Sequence, residues 1–310
     1  MAFLHTFSIV ARDKNSGDLG VAVQTHWFAV GTLCPWVEAG IGVVATQSMV
    51  EVSYGPKSLE LLRDGKTPRE ALDYLKSLDE NSDQRQVAVV DNHGNTAVHT
   101  GSRCIREAGH YSGDGYSVQA NMMASNTVWP AMADAYEHSS GNLSERMLTA
   151  LKAGQTAGGD IRGMQSAAML VVDSEKTDEP WKHVKTNLRV DDHPSPIKEL
   201  ERLLSIHTAY EHMNKGDELL SKGNMDTAEN EYRKAFELSP NNEEIPFWHA
   251  VALTDADKMD AALPIFEKLF RKNPNWYELV LRLPESGLLK DDPARLQKIT
   301  EIMQSIRTKE

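Results

Sequence analysis

The sequence predicts an α+β fold in which two stacked antiparallel β-sheets lie between two layers of helices, an αββα sandwich, followed by an all-helical domain. Strand and helix patterns come in blocks rather than in alternation, which argues against a parallel doubly wound sheet. Turn signals between neighbouring strands are those of β-hairpins. Beyond residue 205 only helical patterns remain. A chain of 310 residues is long enough for two domains, predicted at 1–205 and 206–310.

The strands of the first domain are predicted from apolar alternation and turn residues. The first strand begins at Thr6, where hydroxyl and apolar side chains alternate as in a strand buried on one face. A turn cluster at residues 15–18 separates it from the second strand. The predicted strands cover residues 6–13, 19–24, 40–47, 86–91, 96–100, 116–121, 167–172 and 184–190.

The helices of the first domain are predicted in two pairs. The clearest start is Thr67-Pro68-Arg69-Glu70, which has Thr as N-cap, Pro at the first helical position and Glu at the third. The predicted helices cover residues 55–64, 67–78, 127–138 and 143–155, and a long helix begins at Pro196.

The second domain contains a repeat of 34 residues. Small, aromatic and proline positions recur at this spacing, as in a tetratricopeptide helix pair. The matched positions are Gly216 and Ala250, Ala228 and Ala262, Tyr232 and Phe266, and Pro240 and Pro274. The third unit, from Trp276 to about Arg307, is irregular and is predicted to be a capping element. The array is compatible with a protein-binding groove and equally with a dimerisation or packing surface.

Composition excludes several classes of function. The formal net charge of −12 repels polyanions, so we expect no nucleic-acid partner. No run of about 18 apolar residues is present, so we expect no membrane span, and the lack of an export signal favours the cytoplasm. Cys34 and Cys104 belong to no CxxC motif or Cys/His cluster. We therefore predict two reduced, buried thiols, no metal site and no cofactor.

Thr6 stands almost at the start of the chain. A threonine is a poor nucleophile unless a base lies beside it, and its own α-amine is one such base. Removal of residues 1–5 would create that arrangement. This stretch alone favours the other interpretation, in which Thr6 is an ordinary residue of the first strand.

Other polar groups cluster near predicted strand ends. Side-chain amides at Gln24, Gln47, Gln119 and Asn121 can donate to a developing oxyanion without adding charge, or they can be satisfied buried polar groups. The glycine-rich segment GGDIRGMQSA, residues 158–167, lacks the features of a phosphate-binding loop. Its polar side chains make it a candidate part of a site.

Seven motifs in register carry a resemblance that covers residues 6–204. They are TFSIVARD, GVAVQTHWFAVG, GVVATQ, YGPKSLELL, QAN, GGDIRGMQSA and LRVDDHP. Together they resemble the DUF1028 family, which is regarded as part of the N-terminal-nucleophile (Ntn) hydrolase superfamily, with a proteasome-like αββα fold. The resemblance implies an amide-bond hydrolase that cleaves its own precursor to expose the nucleophile.

Carried onto this sequence, the resemblance implies specific roles. Thr6 is the expected nucleophile, exposed by cleavage after His5, and the expected catalytic residues are Thr6, Asn121, Asp160 and Ser166. The expected substrate-binding residues are Ser8, Gln24, Gln47, Arg162, Gln165, Arg189 and Asp191. The expected substrate is a small amide. The helical repeats are expected to bind a protein partner or to mediate self-association, which would give a homo-oligomer.

One departure from the proteasome pattern concerns a cation. The proteasome-type site has a Lys on an early strand, whereas the first 50 residues here contain only Lys14, in a turn. Arg162 or Arg12 is then the expected replacement, or the cation is absent. The alternative function is a non-catalytic ligand-binding protein whose helical repeats carry a partner.

Overall fold

A computed structural model describes residues 2–308, with side chains from His5 to Thr308. The chain divides into two compact units between Leu204 and Ser205. The first unit combines strands and helices, and the second is helical.

The first unit contains two antiparallel sheets. The six-stranded sheet has the order β11-β10-β3-β2-β9-β8, and the five-stranded sheet has the order β1-β5-β6-β7, with β4 also paired to β5. The strands are β1 (Ala2–Leu4), β2 (Thr6–Arg12), β3 (Leu19–Thr25), β4 (Pro35–Glu38), β5 (Gly42–Val50), β6 (Arg85–Asp91), β7 (Thr96–Thr100), β8 (Gly109–Gly113), β9 (Tyr116–Ala120), β10 (Ser166–Val172) and β11 (Val184–Val190). Every strand predicted from the sequence is confirmed within a few residues.

Three short strands were not predicted from the sequence: β1, β4 and β8. Each pairs with a single neighbouring strand. β1 has three residues and β4 has four. β8 begins and ends with glycine, and its central side chains are exposed, so it has no apolar alternation to read. The sequence marks this segment only as glycine-rich.

Helices cover both sheets of the first unit. They are α1 (Tyr54–Arg63), α2 (Pro68–Ser77), α3 (Val128–His138), α4 (Leu143–Thr156) and the start of α5 (Pro196–Ser221). The reciprocal capping box predicted for Thr67 and Glu70 is present at α2. Between Leu143 and Ser166 the only regular element is α4, and the glycine-rich segment after it is a turn.

Apolar side chains form three clusters in this unit. One lies between the six-stranded sheet and α3, α4 and α5, and includes Phe7 and Ile9. A second lies between the sheets and includes Val10 and Val43. The third joins the five-stranded sheet to α1 and α2. Odd-numbered residues of β2 therefore face the helices, and even-numbered ones face the other sheet.

The second unit consists of the end of α5 and five further helices. They are α6 (Met225–Leu238), α7 (Glu244–Asp255), α8 (Met259–Lys272), α9 (Asn275–Arg282) and α10 (Pro293–Arg307). The predicted small and aromatic repeat positions Ala228, Ala262, Tyr232 and Phe266 are all buried. A Cβ on Gly216 would lie 2.9 Å from the Tyr232 ring, so the small residue permits close helix packing. The residues 291–293, which the sequence predicts to interrupt a helix, instead start one, because Asp292 caps α10 and α10 begins at Pro293.

Two further properties of the described chain concern its cysteines and its helices. Cys34 and Cys104 are both buried and free, as predicted. Within residues 2–308, none of the helices combines the length and the apolarity required to cross a bilayer.

Candidate active site at the start of β2

Thr6 begins a central strand of the six-stranded sheet. It pairs with Thr25 of β3, so their side chains share the face turned toward the five-stranded sheet. Thr6 is fully buried, and among the described residues its hydroxyl oxygen has no hydrogen-bond partner. An unpaired buried hydroxyl costs free energy, and such groups are rare in native folds.

The carbonyl oxygen of His5, one bond before Thr6, is held by two donors. The Thr25 hydroxyl donates to it at 2.5 Å, and Nη2 of Arg162 donates at 3.0 Å. The His5–Thr6 peptide bond therefore has the unpaired Thr6 hydroxyl on one side. On its other side is a carbonyl whose oxygen is polarised by the Thr25 hydroxyl and the Arg162 cation. Such donors stabilise negative charge that develops on an oxygen under nucleophilic attack.

Asp160 fixes the position of the Arg162 guanidinium. Arg162 donates from Nε to Oδ1 at 3.0 Å and from Nη2 to Oδ2 at 2.7 Å. The backbone N–H of His26 and that of Arg162 also donate to this carboxylate, at 3.0 and 2.9 Å. Asp160 is 2% exposed, and Gly158 and Gly159 at φ +125° and +60° shape the turn that brings it inward. Arg162 is therefore the cation at this site.

Arg12, the other cation considered from the sequence, lies at the far end of β2. Its side chain donates to the carbonyl of Asn92 at 2.8 Å. At about 3.3 Å per residue, the six residues from Thr6 place it roughly 20 Å away. It takes no part in the Thr6 environment.

A network of buried amides surrounds the site, and its hydrogen-bond directions are set by Gln86. Nε2 of Gln86 donates to the carbonyls of Ala120 and Gly109, at 2.8 and 3.1 Å. Because carbonyls only accept, Oε1 of Gln86 must be the acceptor for Nδ2 of Asn121 at 2.9 Å and for Nε2 of Gln47 at 2.7 Å.

The orientations of the Asn121 and Gln47 amides in turn set the hydrogen-bond directions at His5 and Ser8. Oδ1 of Asn121 is left facing Nδ1 of His5 at 2.9 Å, so the ring donates from Nδ1. Burial lowers the pKa of His5, the Asn121 hydrogen bond partly offsets this, and the Arg162 charge adds to the lowering, which keeps the ring neutral near pH 7. Oε1 of Gln47 accepts from the Ser8 hydroxyl at 2.6 Å.

Ser8 is thereby fully engaged in the network. It accepts from Nε2 of Gln119 at 2.6 Å while it donates to Gln47. Its proton points at an amide oxygen, which is not a base. The carbonyl of Thr6 itself accepts from Nε2 of Gln47 at 3.2 Å and from the backbone of Asn121 at 3.1 Å. Gln47 and Asn121 thus position the Thr6 backbone.

The remaining predicted site residues lie around or away from this centre. Ser166 faces the same side as Thr25, but it donates to the carbonyl of Trp27 and accepts from the backbone of Val30. Gln24 pairs with Phe7 and so faces the helical layer, where both ends of its amide are buried without a partner among the described residues. It lies on the opposite face of the sheet from Thr6.

A partly exposed group at the start of β10 and the end of β11 contains the three predicted residues Gln165, Arg189 and Asp191. Nε2 of Gln165 donates to Asp192 at 3.2 Å, and Arg189 pairs with Asp191 at 2.9 Å. The backbone of Ala29 donates to the carbonyl of Asp191. These contacts fix the loop after β3, and no described contact joins these side chains to Thr6.

Comparison with known proteins places the first unit in a family. A family model described as a family of unknown function, DUF1028, matches residues 6–200. The chain belongs to the DUF1028 family. A tetratricopeptide repeat model matches residues 212–242, which suggests protein–protein interaction by the second unit.

A solved structure of the same family is similar to the first unit. It is the crystal structure of protein SPO2555 from Silicibacter pomeroyi, a DUF1028 protein. The two are 33% identical with a TM-score of 0.59, and the match covers 64% of this chain and 88% of that one. The sequence matches no curated protein.

Three residues at the site were not singled out from the sequence. Gln86 sits in a predicted strand, Thr25 directly follows the strand predicted at residues 19–24, and His5 precedes the strand predicted at residues 6–13. The pairing register of the β2–β3 hairpin identifies Thr25, since it lies opposite Thr6. Among described residues, no three His, Cys, Asp or Glu side chains converge in a way that could hold a metal ion.

Proposed function

We propose that this protein is an N-terminal-nucleophile amide-bond hydrolase whose nucleophile, Thr6, is exposed by cleavage of the His5–Thr6 bond. The observation that carries the proposal is the His5 carbonyl. Its oxygen accepts from Thr25 and Arg162, and the hydroxyl of the next residue is buried without a described partner. Nucleophile and oxyanion donors therefore meet at one peptide bond.

The self-cleavage conserves atoms without any cofactor. The Thr6 hydroxyl oxygen attacks the His5 carbonyl carbon, a C–O bond forms and the C–N bond breaks. The hydroxyl proton passes to the departing Thr6 nitrogen, which leaves an ester between His5 and the Thr6 side chain. Water then hydrolyses this ester. The products are a leader peptide ending in the His5 carboxylate and a chain beginning with the free α-amine of Thr6.

The same groups serve an external substrate. The α-amine of Thr6 takes the hydroxyl proton as the oxygen attacks a substrate carbonyl, and the leaving amine departs with a proton. Water then hydrolyses the acyl-enzyme. The fixed Arg162 charge lowers the pKa of a nearby amine and so favours its neutral, basic form, and the paired Asp160 carboxylate partly offsets this effect. This role replaces that of the missing Lys.

The packing of the first unit supports the same proposal. Helices α1 and α2 cover one sheet, α3 and α4 cover the other, and an apolar cluster joins the two sheets. This packing supports the αββα sandwich that we propose for an Ntn hydrolase, in which Thr6 stands at the start of an inner strand. Asp160 acts as the positioning residue for Arg162, and Asn121 and Gln47 position the Thr6 carbonyl.

A non-catalytic binding protein is the second candidate. It is favoured by the complete burial of Thr6, which gives a substrate no access while residues 2–5 remain in place. In this reading, the helical repeats carry the partner that responds to a bound ligand. The two candidates differ in whether the α-amine of Thr6 ever becomes free.

Mild periodate oxidation tests the role of that amine. Periodate cleaves a threonine only where the amine and the hydroxyl are both free, so it converts an N-terminal Thr6 to an aldehyde and leaves an uncleaved chain unaltered at Thr6. We expect a processed wild-type chain to hydrolyse members of a panel of N-acyl amino acid amides and to lose this activity on oxidation. Activity that survives complete conversion of Thr6, measured by mass, would reject the mechanism.

A further inference from the structure

The residues before Thr6 cross from one sheet to the other. Residues 2–4 form β1, which pairs antiparallel with β5, from Ala2 opposite Val50 to Leu4 opposite Ser48. The chain then passes through His5 and enters β2 in the six-stranded sheet. We call residues 2–5 the leader segment.

The leader segment fills a gap along one edge of β5. β6 occupies one side of β5 from residue 42 to residue 48. On the other side, β4 pairs only with residues 42–45, and β1 pairs with residues 48–50. Departure of the leader segment would expose those backbone N–H and C=O groups of residues 48–50 that point away from β6, a ready template for another extended strand.

Resting on the proposed function, we propose that the leader segment occupies the acyl side of the substrate site. The substrate is then an extended peptide that pairs with residues 48–50 of β5. Its last residue before the cleaved bond carries a side chain that donates a hydrogen bond to Asn121. The site thereby selects a peptide over a small isolated amide.

The geometry of attack supports this assignment. Thr25 is held in a central strand and Arg162 is held by Asp160, so the oxyanion donors keep their positions after cleavage. A substrate carbonyl attacked by Thr6 must therefore lie where the His5 carbonyl lay. The substrate atoms that precede this carbonyl then follow the path that the leader segment takes, along β5.

The side chain of His5 defines the specificity of the adjacent pocket. It is 5% exposed, and Nδ1 donates to Oδ1 of Asn121. The amide of Asn121 cannot turn over, because Nδ2 already donates to Gln86 and to the Thr6 carbonyl. The pocket therefore presents an acceptor. It favours His, Asn or Gln and rejects a carboxylate, which would face another oxygen across a buried contact.

The test uses the self-processed full chain and coumarin amides of the peptides Ala-Phe-Leu-X, with X as His, Gln, Leu or Glu. N-acetyl-His coumarin amide is the short control. Two or three added backbone hydrogen bonds at about 1 kcal/mol each predict kcat/KM at least tenfold higher for the His tetrapeptide than for the short control. X as Leu or Glu should lower kcat/KM by about fivefold or more relative to His, while Gln stays close to His.

A backbone N-methyl scan of Ala-Phe-Leu-His tests strand pairing directly. Consecutive amides of a strand point to opposite sides, so methylation should weaken binding of the free tetrapeptide, measured by calorimetry, at alternate positions only. A flat scan, no binding, or a preference for Leu over His would overturn this inference. If intact mass shows the leader segment removed and small amides are cleaved, the proposed function survives that result. If the leader is never removed, both fail.

Discussion

Replacing Thr25 with Val isolates one of the two donors on the His5 carbonyl. The substitution exchanges a hydroxyl for a methyl group of similar size at a buried β-strand position. The lost contact is the 2.5 Å hydrogen bond from Thr25, and Arg162 still donates to the same oxygen at 3.0 Å. No buried acceptor is left without a partner, so the expected loss of folding stability is only about 1 kcal/mol.

The effect on self-cleavage should be much larger than the effect on stability. Loss of one oxyanion donor costs roughly 2.7–4 kcal/mol in the transition state, or about 100- to 1,000-fold in rate. The assay is a pulse of cell-free synthesis followed by a chase, in which intact mass gives the fraction of chains that have lost residues 1–5.

The matched control is Thr25→Ser, which keeps the hydroxyl. We expect its cleavage rate to stay within about tenfold of wild type. Cleavage of Thr25→Val at the wild-type rate, or equal slowing of the Ser and Val variants, would refute the assignment of Thr25 as an oxyanion donor.

Three further predictions concern the scaffold. Gln86→Leu should lower the free energy of unfolding by at least about 3 kcal/mol in urea titrations, because the buried carbonyls that accept from Nε2 lose their donor. The hydrogen bond from Arg85 lowers the pKa of Asp79, so the stabilisation that Asp79 contributes is present above the ordinary Asp range and is lost in acid. The stability gap between wild type and Asp79→Asn should therefore narrow as the pH falls through the folded-state pKa of Asp79. Gly216→Ala should destabilise the second unit by about 1–3 kcal/mol in thermal or urea unfolding, since the new methyl group would lie 2.9 Å from the Tyr232 ring.

Each of these predictions has a result that would contradict it. A Gln86→Leu protein as stable as wild type would mean that the amide network is not fixed as described. A stability gap for Asp79→Asn that widens in acid would reverse the sign of the linkage. Stabilisation by Gly216→Ala would mean that helix propensity, worth about 1 kcal/mol in favour of Ala, outweighs packing at this position. Ser221→Ala, an exposed change in the same helix, is the control for that comparison.

Most of the fold could be predicted because its signals are local. Hydrophobic period, turn residues and the capping box at Thr67 each depend on a few neighbouring positions. The 34-residue repeat was readable because helix pairs need small and aromatic residues at fixed contacts, such as Gly216 against Tyr232. β1 could not be predicted, because three residues carry no period and their partner strand lies more than 40 positions away.

The site was predicted only in part, for a reason of strand geometry. Thr6, Gln47, Asn121 and Arg162 do converge around one peptide bond. Gln24 was chosen for its place near a strand end, yet alternate residues of a strand face opposite sides, and its neighbour Thr25 takes the inward position. The orientation of Asn121 depends on Gln86 of the other sheet, a contact that spans 35 positions and leaves no local signal.

The most direct test of the central claim is the intact mass of the purified chain beside that of Thr6→Ala and Thr6→Ser. We predict that wild type loses the residues before Thr6, that Thr6→Ala retains them, and that Thr6→Ser, which keeps a hydroxyl, is cleaved at the same bond. A wild-type chain that keeps these residues after prolonged incubation in its folded state would contradict this claim, as would a Thr6→Ala chain that is cleaved at the same position.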